Sequence, residues 1–89
     1  MPKILFMKEE IYTLSTNEIM AELGKRFKIY RKKRKLTHKK IAEQIGVSTF
    51  TISAFESGRG SGLSLNTFIN LLRIIDELEH IDNALPELP

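Results

Sequence analysis

Thr37-His38-Lys39-Lys40-Ile41-Ala42-Glu43-Gln44-Ile45-Gly46-Val47-Ser48-Thr49-Phe50-Thr51-Ile52-Ser53-Ala54-Phe55-Glu56-Ser57-Gly58 is the stretch that decides how this chain folds. Its apolar residues Ile41, Ala42, Ile45, Ile52 and Phe55 recur at the spacing of two short helix faces rather than at the alternation of strands. Thr37 stands where a hydroxyl can cap a helix over His38 to Ile45, and Ser48 can cap a second one that runs to about Ser57. Gly46 between them suits a helix end that turns through positive φ, a conformation that a Cβ resists. Helices joined by so short a turn need a small residue where they cross, and Ala42 supplies it. Ile41, Ile45, Val47, Ile52 and Phe55 then lock the pair onto its neighbours.

Upstream, Ser15-Thr16-Asn17-Glu18 has the form of a capping box, in which hydroxyl and carboxylate satisfy free amides at a helix start. From there Ile19, Met20, Leu23, Phe27 and Tyr30 make one apolar stripe, and Gly24 within it costs the helix about 1 kcal/mol. Downstream, Gly58 to Gly62 reads as a flexible loop. Ser64 can cap a helix carrying Leu65, Phe68, Ile69, Leu71, Leu72 and Ile75, and apolar spacing resumes in Leu78, Ile81 and Leu85. Periodicity leaves open whether Asp76 divides this run. Residues 3–14, with Ile4, Phe6, Ile11, Tyr12 and Thr13 around Lys8-Glu9-Glu10, read as a short strand or extended arm. The expected architecture is all-α, a compact bundle of about five helices over residues 15–85, with an arm at 1–14 and a tail at 86–89.

Composition narrows the function classes. With 42% hydrophobic and 28% charged residues the chain is an ordinary globular domain, and at 89 residues a single one. A domain this small buries only about 60–65% of its unfolded surface, so a second subunit would add to its stability. The absence of cysteine excludes disulfides, thiolate metal sites and a Cys nucleophile. The Lys3 to Met7 run is too short for a signal-peptide core and no stretch approaches a membrane span, so a cytoplasmic protein is expected.

The two histidines, His38 and His80, stand far apart, no metal-ligand spacing occurs, and Gly58-x-Gly60-x-Gly62 follows no strand. Neither an enzyme, a cofactor nor a metal is therefore expected. Net charge is only +3, but Lys25, Arg26, Lys28, Arg31, Lys32, Lys33, Arg34, Lys35, Lys39 and Lys40 crowd one short stretch. That block either meets a polyanion or solvates a helix face. A membrane-surface helix over 25–40 competes poorly, because its apolar side is claimed by the bundle core.

Two short helices about a glycine turn form the helix-turn-helix pattern. Lys35 to Ser48, continued without a gap by Thr51 to Gly58, resembles the Cro and phage-repressor class of this motif, the XRE family. The resemblance covers roughly residues 20–76 and implies a lambda-repressor-like bundle whose motif spans about 38–57. It implies double-stranded DNA as partner, with the second helix of the motif in the major groove and the first crossing the backbone. Ser48, Thr49, Phe50, Thr51 and Ala54 then face bases, although Phe50 can also be read as an outlying core aromatic. Thr37, His38, Lys39, Lys40, Ser57 and Arg59 contact phosphates.

One departure from the family stands at His38, where Gln is usual; an imidazole there can still donate to phosphate. Family members commonly join an Arg near the end of the first helix to a Glu ending the recognition helix, which places a brace at Arg31 and Glu56. The resemblance also implies a regulator, expected to be a repressor, acting as a homodimer. Ile4 and Phe6 in the arm, or Leu78, Ile81 and Leu85 near the C-terminus, are spare for the interface. The tail from Leu71 to Pro89 resembles the HipB antitoxins, which makes a HipA-like kinase an alternative partner.

Overall fold

The computed structural model describes residues 8–89. Five α-helices and one 3₁₀ helix follow in order: α1 Lys8–Thr13, α2 Thr16–Lys33, α3 His38–Ile45, α4 Thr49–Glu56, α5 Leu65–Ile74, then the 3₁₀ helix Leu78–Asn83. The arm expected over residues 3–14 is corrected where it is described: Lys8–Thr13 is helical. Its last turn is closed locally, with Thr13 Oγ1 donating to the Glu10 carbonyl at 2.6 Å. No strand lies among the described residues to offer a ladder instead. Ile4 and Phe6 lie outside the described residues.

Each helix from α2 to α5 starts on a side-chain oxygen. Ser15 and Glu18 complete the capping box, and Thr37, Ser48 and Ser64 accept from the amides of Lys40, Thr51 and Thr67. The helices end as consistently, through left-handed residues: Lys35, Gly46, Gly58 and Asp76 have φ of 58°, 75°, 82° and 60°. After α2, α4 and α5 the chain closes a Schellman motif. Leu36 N–H reaches the Arg31 carbonyl at 3.1 Å, Arg59 that of Ala54 at 2.8 Å, and Glu77 that of Leu72 at 2.9 Å. Asp76 thus does divide the C-terminal run, and the helical segment beyond it, Leu78–Asn83, is 3₁₀ rather than α.

Lys35 and Asp76 hold a conformation that costs a side-chain-bearing residue roughly 1–2 kcal/mol, part of which Asp recovers locally. Lys35→Gly removes that strain against a smaller loss of chain entropy, so the urea midpoint should rise by the equivalent of about 0.5–1 kcal/mol. A midpoint that stays or falls would mean the Lys35 side chain contributes more than its backbone costs.

The core is Phe27 from α2, Ile41 and Ala42 from α3, Ile52 and Phe55 from α4, and Leu71 and Ile75 from α5 and its cap. Phe55 is its centre, with ring centroids 5.7 Å from Phe27 and 6.2 Å from Phe68. Gly24 lets α2 lie directly against α4: a Cβ built there falls 1.8 Å from the Phe55 carbonyl oxygen. Residues 58–62, expected to be a flexible loop, form a packed turn, in which a Cβ at buried Gly60 would lie 2.9 Å from Phe55 Cα. Tyr30 and Leu65, expected on apolar faces, are instead exposed. Arg34 at the end of α2 pairs with Glu77 at 3.1 Å, and Glu77 with His80 at 2.9 Å, tying α2 to the 3₁₀ helix.

Candidate nucleic-acid interface

The Gly46 turn sets α3 against α4, burying Ile41, Ala42, Ile52 and Phe55 and leaving one side of α4 in solvent. At 3.6 residues per turn, Thr49, Phe50, Ser53 and Ser57 fall within an arc of roughly 100°. Phe50 is 71% exposed, which removes the reading of it as a core aromatic. The Thr49 hydroxyl makes no hydrogen bond among the described residues. Ser48 and Thr51 spend part of their capacity on each other, their hydroxyl oxygens 2.9 Å apart while Ser48 caps the helix.

Ala54, also expected to face bases, is 7% exposed, so little of its methyl group is open to a ligand. It lies beyond the exposed arc, where the chain folds back after α4 and Arg59 N–H donates to its carbonyl. The half-buried Ser53 lies on the open face, four residues after Thr49. The i, i+4 spacing from Thr49 was the signal in the sequence that could have found it.

Among the residues expected at phosphates, Thr37, Lys39, Lys40, Ser57 and Arg59 are exposed. Among the described residues no ion pair ties up Lys39, Lys40 or Arg59. Thr37 caps α3, and Ser57 Oγ donates back to the carbonyls of Ser53 and Ala54 at 2.9 and 3.3 Å. His38 is differently placed. Its Nε2 lies 3.0 Å from Glu56 Oε1, so that nitrogen points into the protein rather than toward a ligand.

Glu56 is the centre of a buried ionic group. Arg31 Nε and Nη2 donate to its two oxygens at 2.6 and 3.0 Å, a bidentate fork, and Arg31 Nη1 donates to the Leu36 carbonyl at 2.8 Å. The side chains of Arg31 and Glu56 are 11% and 4% exposed. Burial pushes the Glu56 carboxyl upward, but hydrogen bonds from Arg31 and His38, with their charges, outweigh it and hold the group below the ordinary carboxylate value. One carboxylate therefore joins α2, α3 and α4, and Arg31 extends the group to the segment entering α3. No buried side-chain polar atom lacks a partner among the described residues.

Of the residues expected at a dimer interface, Leu78 and Ile81 are half-buried on the 3₁₀ helix and Leu85 is exposed. No helix among the described residues is long and apolar enough to cross a membrane.

A family model described as a helix-turn-helix domain matches residues 24–80, from the glycine where α2 meets α4 into the 3₁₀ helix. No curated protein matches the chain. The matched span contains the whole of the capped, glycine-turned pair, α3 and α4. The chain belongs to the helix-turn-helix domain family of the XRE type, DNA-binding regulators of transcription.

Proposed function

We propose that this protein is a sequence-specific repressor that binds double-stranded DNA as a homodimer, each subunit laying the N-terminal half of α4 in the major groove. The observation that carries the reading is the open face of α4. Thr49 and Phe50 are exposed on a helix that buries Ile52, Ala54 and Phe55 on its other side, and Thr37, Lys39, Lys40 and Arg59 are exposed donors and positive charges on the segments that start α3 and follow α4. None of the groove-facing residues is Arg, Asn or Gln. Reading then rests on hydroxyls, on contact between Phe50 and thymine methyl groups, and on DNA shape. Residues 15–85 form the DNA-binding unit in this reading. A two-fold interface through Leu78, Ile81 and Leu85, or through the first 14 residues, spaces two copies one turn of DNA apart.

Positioning and reading residues should fail differently on a duplex selected from genomic fragments. Lys40→Ala or Arg59→Ala weakens binding on every sequence and lowers the log-log salt slope by about one for each phosphate partner removed per subunit. Thr49→Ala and Phe50→Ala instead cost roughly 1–3 kcal/mol on the selected duplex and little on random DNA, with the salt slope kept. An unchanged ratio of selected to random binding in Phe50→Ala would remove Phe50 from the reading set. One chain per bound duplex would remove the dimer, and a copurifying kinase would favour the antitoxin alternative.

A further inference from the structure

His38 is the first residue of α3, and its two ring nitrogens stand in different surroundings. Inside the protein, its Nε2 is 3.0 Å from Glu56 Oε1. Glu56 is held below the ordinary carboxylate value of 4.5, so near neutral pH it is ionised and can only accept. Nε2 must therefore carry a hydrogen. The other ring nitrogen, Nδ1, has no hydrogen-bond partner among the described residues, and the side chain is one-third exposed beside Thr37, Lys39 and Lys40. In a neutral ring with hydrogen on Nε2, Nδ1 carries a lone pair, which repels a phosphate oxygen. Only the imidazolium donates from both nitrogens.

We infer that His38 is a proton-dependent bridge, donating through Nε2 to Glu56 and through Nδ1 to a DNA phosphate, so that each subunit takes up a proton when it binds DNA. This rests on the groove-binding reading above. The charged groups that face the ring are Glu56 from α4 and Arg31, which shares that carboxylate, from α2; Lys39 and Lys40 follow it in α3. The two lysines and Arg31 oppose the imidazolium, whereas Glu56 and an arriving phosphate favour it. The phosphate is the only one of these charges that changes on binding, so it is what draws the proton on. A Gln at this position carries two N–H donors on one nitrogen and can serve both acceptors with no proton.

The test uses the full chain and a random-sequence duplex two helical turns long, because a phosphate contact does not depend on sequence. Affinity should rise roughly tenfold from pH 8 to pH 6 at constant salt, with His38→Gln binding at a nearly pH-independent strength and His80→Gln keeping the wild-type slope. Calorimetry in buffers of differing ionisation enthalpy should show proton uptake by the wild type and not by His38→Gln. Parallel pH profiles for wild type and His38→Gln, or a slope lost in His80→Gln instead, would overturn the bridge while leaving DNA binding intact. If no variant retains duplex at any pH, the groove-binding reading fails, and the bridge with it.

Discussion

Gly24→Ala is expected to be among the most damaging single substitutions in this chain, although it adds one methyl group to a helix that intrinsically prefers it. In an isolated helix the change gains about 1 kcal/mol. Here the new Cβ lands 1.8 Å from the Phe55 carbonyl oxygen and 2.8 Å from its carbon. Both are backbone atoms of α4, so no side-chain rotation relieves the overlap. The two helices must part by more than an ångström, and that opens the packing around Phe27 and Phe55 on which the core is built. Overpacking of this kind costs about 1–3 kcal/mol and more where the obstacle is backbone. A net loss near 3 kcal/mol corresponds to a fall in Tm of roughly 12–24 °C for a domain of this size. Because Arg31 and Glu56 bridge the same two helices, DNA binding should weaken even at temperatures where the protein stays folded. A Tm within a few degrees of wild type would mean that α2 and α4 are not pressed together at Gly24.

Gly24 also marks where a sequence can be read and where it cannot. Ser15, Thr37, Ser48 and Ser64 declared the helix starts because a cap is a local arrangement, complete within four residues. Gly46 declared the turn for the same reason, and a Cβ there would meet nothing within 4 Å, so its role is conformational alone. Gly24 has its partner, Phe55, thirty-one residues away, and composition gives no sign of it beyond an apparent helix defect. The low exposure of Ala54 has similar grounds: Arg59 reaches its carbonyl through the Gly58 turn, which the periodicity of α4 does not announce. Lys8–Thr13 reads as extended because β-branched and aromatic residues cluster there, but with no partner strand among the described residues the segment closes its hydrogen bonds locally as a helix. The pairing of His38 with Glu56 needed the crossing angle of α3 and α4, which only the packed core supplies.

The Arg31 and Glu56 pair is where stability and orientation can be separated. Removing one partner leaves a charge in a place with little access to water, a loss of about 3–5 kcal/mol. Arg31→Ala should be the worse of the two. It leaves a carboxylate that is 4% exposed with the His38 ring as its one remaining partner and also orphans the Leu36 carbonyl, whereas Glu56→Ala leaves Arg31 bound to that carbonyl. Because both changes remove one interaction, the double variant should lose at least 1 kcal/mol less than the sum of the singles in urea denaturation. Glu56 has a lower pKa in the folded chain than its ordinary 4.5, so its contribution is complete above that value and disappears as pH falls through the folded one. Glu56→Gln should therefore flatten the loss of stability below about pH 4.5 as well as lowering the plateau above it. An apolar pair, Arg31→Met with Glu56→Leu, needs no compensation for buried charge and can recover most of the lost stability. What it cannot recover is the directional fork that fixes the rotation of α4, nor the acceptor that holds His38. That variant should fold with near wild-type Tm and bind the selected duplex at least tenfold more weakly. Wild-type affinity in it would mean that packing alone orients α4 for DNA.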